Sequence, residues 1–422
     1  MSTFINNSVM DLSTHSVTTY ILALGVPFVP IAAFFAWEYS HGKTKEPSIQ
    51  RGCKRLEGLE GTNDQWRIKA LVIYPIKSCF PVMLGHGHVI PTGLRYDRQF
   101  SFAEMVPVSR TDREKPNFPK DYKGKHHWKF ITQREYPLLT KVKTELWVPD
   151  ENSPTYSTKE PNVANGGCLV VSFPDPVKND LNVSFQIPFD PSESRIKRMK
   201  YPEETMQIWV DFPQALDMTS EISAIALSKL KEFLSSQKLK KLENLALFRV
   251  DSGRENKQLR EVYRCAPKKE DIGYQPVVGF ADAYPLHMLN MSSIDDLATH
   301  LRSNTGHLDP RRFRANLYIE GPEAFAEDNW KLIRIGDSRY HVSSRTARCL
   351  LPNVDPETGI KDQNEPRRAM DQYRKVDEGC PKVPCLGMQV TPMQAESQIK
   401  VGDEIELLET GEHFYLSWPK GL

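Results

Sequence analysis

The chain has 422 residues, with 55 Lys and Arg against 54 Asp and Glu, for a formal net charge of +1. That balance gives no overall field to attract nucleic acid or an acidic polymer, and the length suits an anchor plus two modest domains or one compound one. The cysteines, at 53, 79, 168, 265, 349, 380 and 385, form no Cys-x-x-Cys pair, which argues against a disulfide framework, an iron–sulfur site or a zinc ribbon and for a reducing compartment.

A short tail over 1–16 leads into a transmembrane anchor predicted over 17–39. Val17 to Trp37 carry no charge, and at about 1.5 Å per residue such a helix reaches roughly 30 Å, the thickness of a bilayer core. Pro27 and Pro30 are better tolerated in lipid than in a soluble helix, and Tyr20, Trp37 and Tyr39 sit where interfacial aromatics belong. The rival reading is a cleaved signal peptide, but residues 1–16 hold no Lys or Arg and no small-x-small site follows. Asp11 precedes the span, whereas Lys43, Lys45, Arg51, Lys54 and Arg55 follow it. Positive-inside bias then puts the N-terminus away from the cytosol and the body in it. The lack of an Arg-rich amphipathic presequence argues against the mitochondrial matrix, leaving the outer mitochondrial membrane ahead of the endoplasmic reticulum.

Residues 40–65 read as a juxtamembrane linker. From Trp66 the stretch 66–215 is mostly β, with strands predicted at Ile68–Tyr74, Lys141–Val148, Leu169–Phe173 and Val183–Ile187. Met105–Lys129 and Pro149–Gly167, long, charged and rich in Pro or Gly, read as surface insertions or partly disordered loops. A connecting stretch, 216–270, holds a helix at Glu221–Ser236, with Ile222, Ile225, Ala226, Leu230, Phe233 and Leu234 as its apolar face, and a strand at Leu245–Val250. In 271–415 a helix near Ser293–Ser303 opens on Ser292 with a capping-box-like Asp295. Strands follow at Phe313–Ile319, Trp330–Ile335, Tyr340–Ser343 and Glu404–Leu408. The fold class is β-rich α+β.

Chemistry is concentrated in a few places. There is no Gly-x-Gly-x-x-Gly and no Walker-type loop, so in a redox protein electrons would have to come from another protein. His86 and His88 share a strand face without a third ligand at usable spacing, and Cys380 and Cys385 lack a second pair, so both read as ordinary residues. The run 195–200 is a local basic patch that suits a solvated face. Lys77, Ser78, Arg95 and Arg98 fall at strand ends and turns, and Arg311, Arg312 and Arg314 precede a strand. Such cations either form surface salt bridges or hold a phosphate or carboxylate, Arg as a fork and Lys as a point charge. Cys349 follows Arg348 and precedes a Pro/Asp/Gly turn. It reads as a buried inert thiol or, with a cation favouring thiolate, as a soft-metal ligand.

Tyr74-Pro75-Ile76-Lys77-Ser78-Cys79 and Gly93-Leu94-Arg95-Tyr96-Asp97-Arg98 resemble the opening of the N-terminal β-barrel domain that accompanies MOSC domains. Arg312 to Asn316, Glu327 to Trp330, Arg348-Cys349, Val354 to Gly359, Glu365-Pro366 with Tyr373-Arg374, and Val401-Gly402-Asp403 resemble the MOSC domain, in the expected order. The resemblance is to the mitochondrial amidoxime-reducing component family. It implies an N-terminal β-barrel-like domain over 66–215 and a MOSC β-barrel domain over 271–415, behind one transmembrane helix.

The resemblance further implies a molybdenum cofactor, a metal on a pterin dithiolene, with Cys349 as the protein ligand and the catalytic residue. Lys77, Ser78, Arg98, Arg314, Asn316 and Arg348 fall on positions that hold the pterin and its phosphate. Ala347 stands where the family has Ser, Ala315 where it has Pro, and Asp282-Ala283-Tyr284-Pro285 lacks a Thr-Ser pair, so these positions are not carried over. The implied activity is two-electron reduction of small N-hydroxylated substrates such as amidoximes and hydroxylamines. Cytochrome b5 and NADH-cytochrome b5 reductase type proteins would be the electron donors, with membrane lipid as a partner and no nucleic acid. Two other readings stay open. One is a sulfur carrier using a Cys349 persulfide, without the pyridoxal-phosphate domain of full-length sulfurases; the other is a non-catalytic membrane-tethered adaptor.

Overall fold

The computed structural model describes residues 51–56 and 66–416, except 116, 179, 238–240, 251–258, 263 and 303–306. The predicted anchor over 17–39 lies outside the described residues, and among those described no helix is long and apolar enough to cross a membrane.

The body opens on a nearly continuous apolar run, which suits a strand covered on both faces. Arg67–Ile73 is that strand. Ile68, Leu71 and Ile73 enter the largest core, whereas Ala70, Val72 and the following Tyr74 enter a second core with Leu289, Ile294 and Phe313. Its neighbour is Leu317–Glu320, antiparallel, with a register shift between Tyr318 and Ile319. These two belong to an eight-stranded sheet in the order Ile405–Thr410, Trp330–Ile335, Ser338–Ala347, Cys385–Pro392, Leu286–Asn290, Leu317–Glu320, Arg67–Ile73, Val82–Leu84. A strand from the first third of the chain is thus built into the sheet of the last third.

A second set of strands makes a closed five-stranded barrel from Glu203–Gln207, Gln214–Asp217, Leu245–Arg249, Phe100–Pro107 and His126–Phe130. Parallel pairing of Met206 with Trp128 helps to close it, and closure removes the exposed edges that invite aggregation. Its interior is aromatic and aliphatic, with Phe130, Met206, Phe248 and Phe280 buried together. A four-stranded sheet, Cys53–Arg55, Lys143–Pro149, Cys168–Pro174 and Asn182–Pro188, packs on helix Ala224–Ser235 through Phe173 and Phe233, whose rings lie 5.7 Å apart.

Several local expectations are corrected. The stretch read as a strand from Phe313 begins instead as a 3-10 turn, Pro310–Phe313; Asp309 caps it by accepting from the Arg311 amide, and Arg314 turns left-handed before the strand starts at Leu317. The helix assigned to Ser292 as its cap runs over Met291–Thr299 and is capped by Asn290, which accepts from the Ser292 amide. Ile225, placed on the buried face of its helix, is 74% exposed, because Ser223 caps the helix and leaves Ile225 on the outer side of the first turn. Met105–Lys129 is not a simple loop: strands Phe100–Pro107 and His126–Phe130 run into it, and the helix Arg110–Arg113 is closed by a reciprocal Ser109/Asp112 capping box. Within Pro149–Gly167, Pro161–Ala164 is helical. The linker stretch 40–65 contains Cys53–Arg55, which pairs with Lys143–Pro149.

Candidate functional site

Strand ends deliver the candidate residues to one place. The turn after Arg67–Ile73 carries Lys77 and Ser78, and a second turn carries Arg98. The two turns are stitched together where the Tyr74 amide donates to Asp97 Oδ1 at 2.8 Å and the Arg98 amide donates to the Tyr74 carbonyl at 2.9 Å. Arg314 and Asn316 arrive just before strand Leu317–Glu320, and Arg348 and Cys349 just after strand Ser338–Ala347. All seven, Lys77, Ser78, Arg98, Arg314, Asn316, Arg348 and Cys349, line a single cavity of about 440 Å³. That volume lies in the range of ordinary small-molecule sites.

Glycine makes this approach possible. Gly93 has φ +106° and a Cβ there would sit 2.0 Å from the Pro285 carbonyl oxygen, so only glycine lets the Arg98 turn close on the strand that carries His287. Left-handed backbone also occurs where a side chain resists it: Ser78, Arg98, Arg314 and Trp209, all lining the cavity, have φ of 68°, 46°, 56° and 54°. Strain of this kind costs on the order of 1–3 kcal/mol per residue and persists where surrounding structure imposes it.

The lining holds eight cations, Lys77, Arg98, Arg134, Arg260, Arg264, Arg314, Arg345 and Arg348, against three carboxylates, Asp211, Glu261 and Asp282. Most of the cations are pinned by protein. Lys77 Nζ donates to the Phe280 carbonyl at 2.8 Å and to Asp282 Oδ1. Arg98 donates to Asp97 Oδ2 at 2.6 Å, Asn316 Oδ1 at 3.2 Å and the Arg314 carbonyl at 2.8 Å. Arg314 donates to the Cys79 carbonyl at 3.0 Å and Gln133 Oε1 at 3.1 Å, and its guanidinium lies 3.9 Å over the Tyr74 ring, which Arg98 also approaches at 4.7 Å. Arg348 donates to the carbonyls of Leu386 and Phe313 and to His287 Nε2.

Burial shapes the charges. It lowers Lys77 to about 8 despite the opposing pull of Asp282, and it lowers Arg314 and Arg348 to about 10. His287 is held well below its ordinary value, first by burial and then by Arg348 and Arg98, so it is neutral and its Nε2 accepts from Arg348. Asp282 is pulled below the usual carboxylate range by Lys77, overcoming the upward push of burial. Among the described residues Arg314 Nη2 is buried without a hydrogen-bond partner, and a buried donor left unmade is costly unless something else supplies the acceptor.

Cys349 is exposed, and among the described residues its Sγ accepts from the Leu351 amide alone, at 3.4 Å. The buried inert reading of this thiol is thereby set aside. Among the described residues no cluster of three or more His, Cys, Asp or Glu could hold a metal ion. A metal bound here would therefore need most of its ligands from a prosthetic group. One accessible thiol, a cationic lining and an unpartnered buried guanidinium donor fit an anionic group of that kind.

Sequence reasoning missed part of the wall. Asp282 lies where the resemblance offered nothing to carry over, yet it holds Lys77 and accepts from Trp209 Nε1 at 3.0 Å. Ala347 lines the cavity as well, with Arg134, Trp209, Arg260, His287 and Arg345. The Arg260 guanidinium is gathered by the carbonyls of Gly279 and Ala281, which no sequence pattern reveals, and none pointed to Arg134 or Trp209. Cys380 and Cys385, read as separate ordinary thiols, lie with sulfurs 3.7 Å apart and are not among the lining residues.

Residues 65–231 match the model of the MOSC N-terminal beta barrel domain, and residues 275–406 match that of the MOSC domain. The chain is similar to mitochondrial amidoxime-reducing component 1 of Mus musculus, 33% identical over 159 residues that cover 37% of this chain and 43% of that protein. It is also 33% identical over 132 residues to mitochondrial amidoxime reducing component 2 of Rattus norvegicus, covering 30% of this chain and 38% of that protein. The molybdenum cofactor sulfurase of Arabidopsis thaliana is 23% identical over 317 residues, covering 73% of this chain and 31% of that protein. The chain thus spans less than half the length of each of these relatives.

Proposed function

Because the chain belongs to the MOSC proteins, with a MOSC N-terminal beta barrel domain ahead of its MOSC domain, we propose that it is a molybdenum-cofactor oxidoreductase that reduces N-hydroxylated substrates. The observation that carries this reading is the convergence of Lys77, Ser78, Arg98, Arg314, Asn316, Arg348 and Cys349 on one cavity, from three distant parts of the sequence. The resemblance of the catalytic motifs to amidoxime-reducing components supplies the reaction class.

Cys349 would give the cofactor its protein thiolate, while the buried cations and the Asn316 amide hold its pterin and phosphate. When bound, the cofactor supplies a two-electron redox couple. The substrate gains two electrons and two protons, its N–O bond breaks, and the amine or amidine leaves with one water. Arg314 Nη2 would find in the cofactor the acceptor that the described residues do not provide. Electrons would arrive from a cytochrome b5 and its NADH-dependent reductase. The segment 17–39 would anchor the chain in the outer mitochondrial membrane with its body in the cytosol, which raises the effective concentration of a membrane-bound donor.

Protein made in a cofactor-competent host should carry molybdenum and pterin and reduce benzamidoxime when supplied with the donor pair. Cys349→Ser should remain folded and lose the reduction, whereas metal-free wild-type protein from that host would end the proposal. A second reading is supported by the accessible Cys349 thiol and by the length of the match to the Arabidopsis sulfurase: a sulfur carrier with a Cys349 persulfide. Cyanide-releasable sulfur on Cys349 after treatment with a cysteine desulfurase, without molybdenum in the protein, would favour it.

A further inference from the structure

Seven of the eight lining cations have a hydrogen-bonding partner in the protein. Lys77 is held by Asp282, Arg98 by Asp97, Arg260 by Asp211 and backbone carbonyls, and Arg345 by Asp377. Arg264 donates to the Leu416 carbonyl, Arg314 to the Cys79 carbonyl and Arg348 to the Leu386 carbonyl. Arg134 differs. Its guanidinium has no hydrogen-bond or ion-pair partner among the described residues; it lies 5.1 Å over the ring of Trp209, and both residues line the cavity.

The indole beneath it is fixed rather than loose. Trp209 sits at the tip of the hairpin joining Glu203–Gln207 to Gln214–Asp217, with φ 54°, a conformation rarely adopted by a bulky side chain. Three contacts impose it: Nε1 donates to Asp282 Oδ1 at 3.0 Å, the carbonyl accepts from Gln207 Nε2 at 3.0 Å, and the ring meets Phe130 edge-on at 5.1 Å. Arg134 directly follows Gln133, which accepts from Arg314, so its backbone is tied to the cofactor-facing side of the cavity. An aromatic plate held in a strained conformation beside a half-exposed guanidinium with open donors suits a flat ligand that carries an anionic group.

We infer that Arg134 and Trp209 form a substrate subsite for planar N-hydroxylated compounds bearing a carboxylate or phosphate group. This rests on the reductase reading for its substrate class. Arg134 supplies the fork for the acid and, together with the indole it lies over, the flat surface the ring meets. Of the three lining carboxylates, Asp282 and Asp211 are engaged with Lys77 and Arg260 and Glu261 is exposed, so neither of the two paired acids neutralises Arg134.

The test compares 4-carboxybenzamidoxime with benzamidoxime in the holoenzyme, together with calorimetric titration of 4-carboxybenzamide, an unreactive analogue. Wild type should favour the carboxylated substrate in kcat/KM. In Arg134→Ala that ratio should fall roughly ten- to a hundredfold, the usual loss for one charge-assisted hydrogen bond, with partial recovery in Arg134→Lys. Binding of the analogue should weaken in parallel, and Trp209→Leu should weaken both ligands. An unchanged ratio and unchanged analogue binding in Arg134→Ala would overturn the inference. So would a loss of molybdenum and pterin from that variant, which would give Arg134 to the cofactor's phosphate. If neither substrate is reduced the reductase reading fails, and the titration alone then decides whether Arg134 binds the acid.

Discussion

The cavity has two unlike ends. At its buried end Lys77, Ser78, Asn316 and Arg348 are almost closed to solvent, and Lys77, Asn316 and Arg348 donate to carbonyls, to Asp282 or to His287. At its open end Cys349 is exposed and Arg134 is half-buried, while the half-buried Trp209 joins the two ends by donating to the same Asp282 oxygen as Lys77. The difference teaches where rigidity is stored. Strained backbone and paired groups fix position at the buried end and at Trp209, while the Cys349 thiol and the Arg134 guanidinium stay available to whatever enters.

The contrast is broken most severely by closing the gap that lets the buried end form. Gly93→Ala places a methyl against the Pro285 carbonyl at a left-handed residue, and denaturant unfolding should show a loss of roughly 3 kcal/mol or more. Arg314→Ala leaves the Cys79 carbonyl and Gln133 Oε1 without their donor and bares the Tyr74 face. It should cost about 2–3 kcal/mol by the same measurement and remove pterin from the purified protein.

Acid–base behaviour sharpens the comparison. Lys77 titrates near 8 in the fold and near its ordinary 10.5 unfolded, so between those values the unfolded chain holds the extra proton. Its contribution to stability therefore rises with pH, by roughly 1–2 kcal/mol from pH 7.5 to 9.5. Matched denaturation curves of cofactor-free wild type and Lys77→Met should differ by that slope. At the open end the expected effect on stability is smallest: Cys349→Ser should shift unfolding by less than about 0.5 kcal/mol, as for other exposed positions, while reductase turnover is lost. A large loss of stability there would mean that the thiol is structural and that the two ends do not divide the labour.

The same division governs what could be read from sequence. Strands with strong alternation or continuous apolar runs, such as Arg67–Ile73 and Trp330–Ile335, were legible because burial dictates their pattern. The buried end was legible too, since Lys77, Arg98, Arg314 and Arg348 occur in compact motifs at strand ends. Arg134 and Trp209 were not, because each is an ordinary residue in its local sequence and gains meaning only when the barrel hairpin is brought against the loop after His126–Phe130. The left-handed Arg314 was missed for a related reason: nothing short of the Asp309 cap and the packing of Phe313 decides that the chain turns there before it extends.

Arg67 binds Glu320 across 253 residues of sequence, and the strand it opens waits for a neighbour that is made late. At ordinary elongation speeds of about 5–20 residues per second, the ribosome needs roughly 13–50 s to deliver that neighbour. During that interval Ala70, Val72 and Tyr74, on the other face of the strand, lack the cover that Leu289, Ile294 and Phe313 later give them. Nascent chains stalled before residue 317 should consequently be held by chaperones or digested, and release should follow synthesis of Leu317–Glu320.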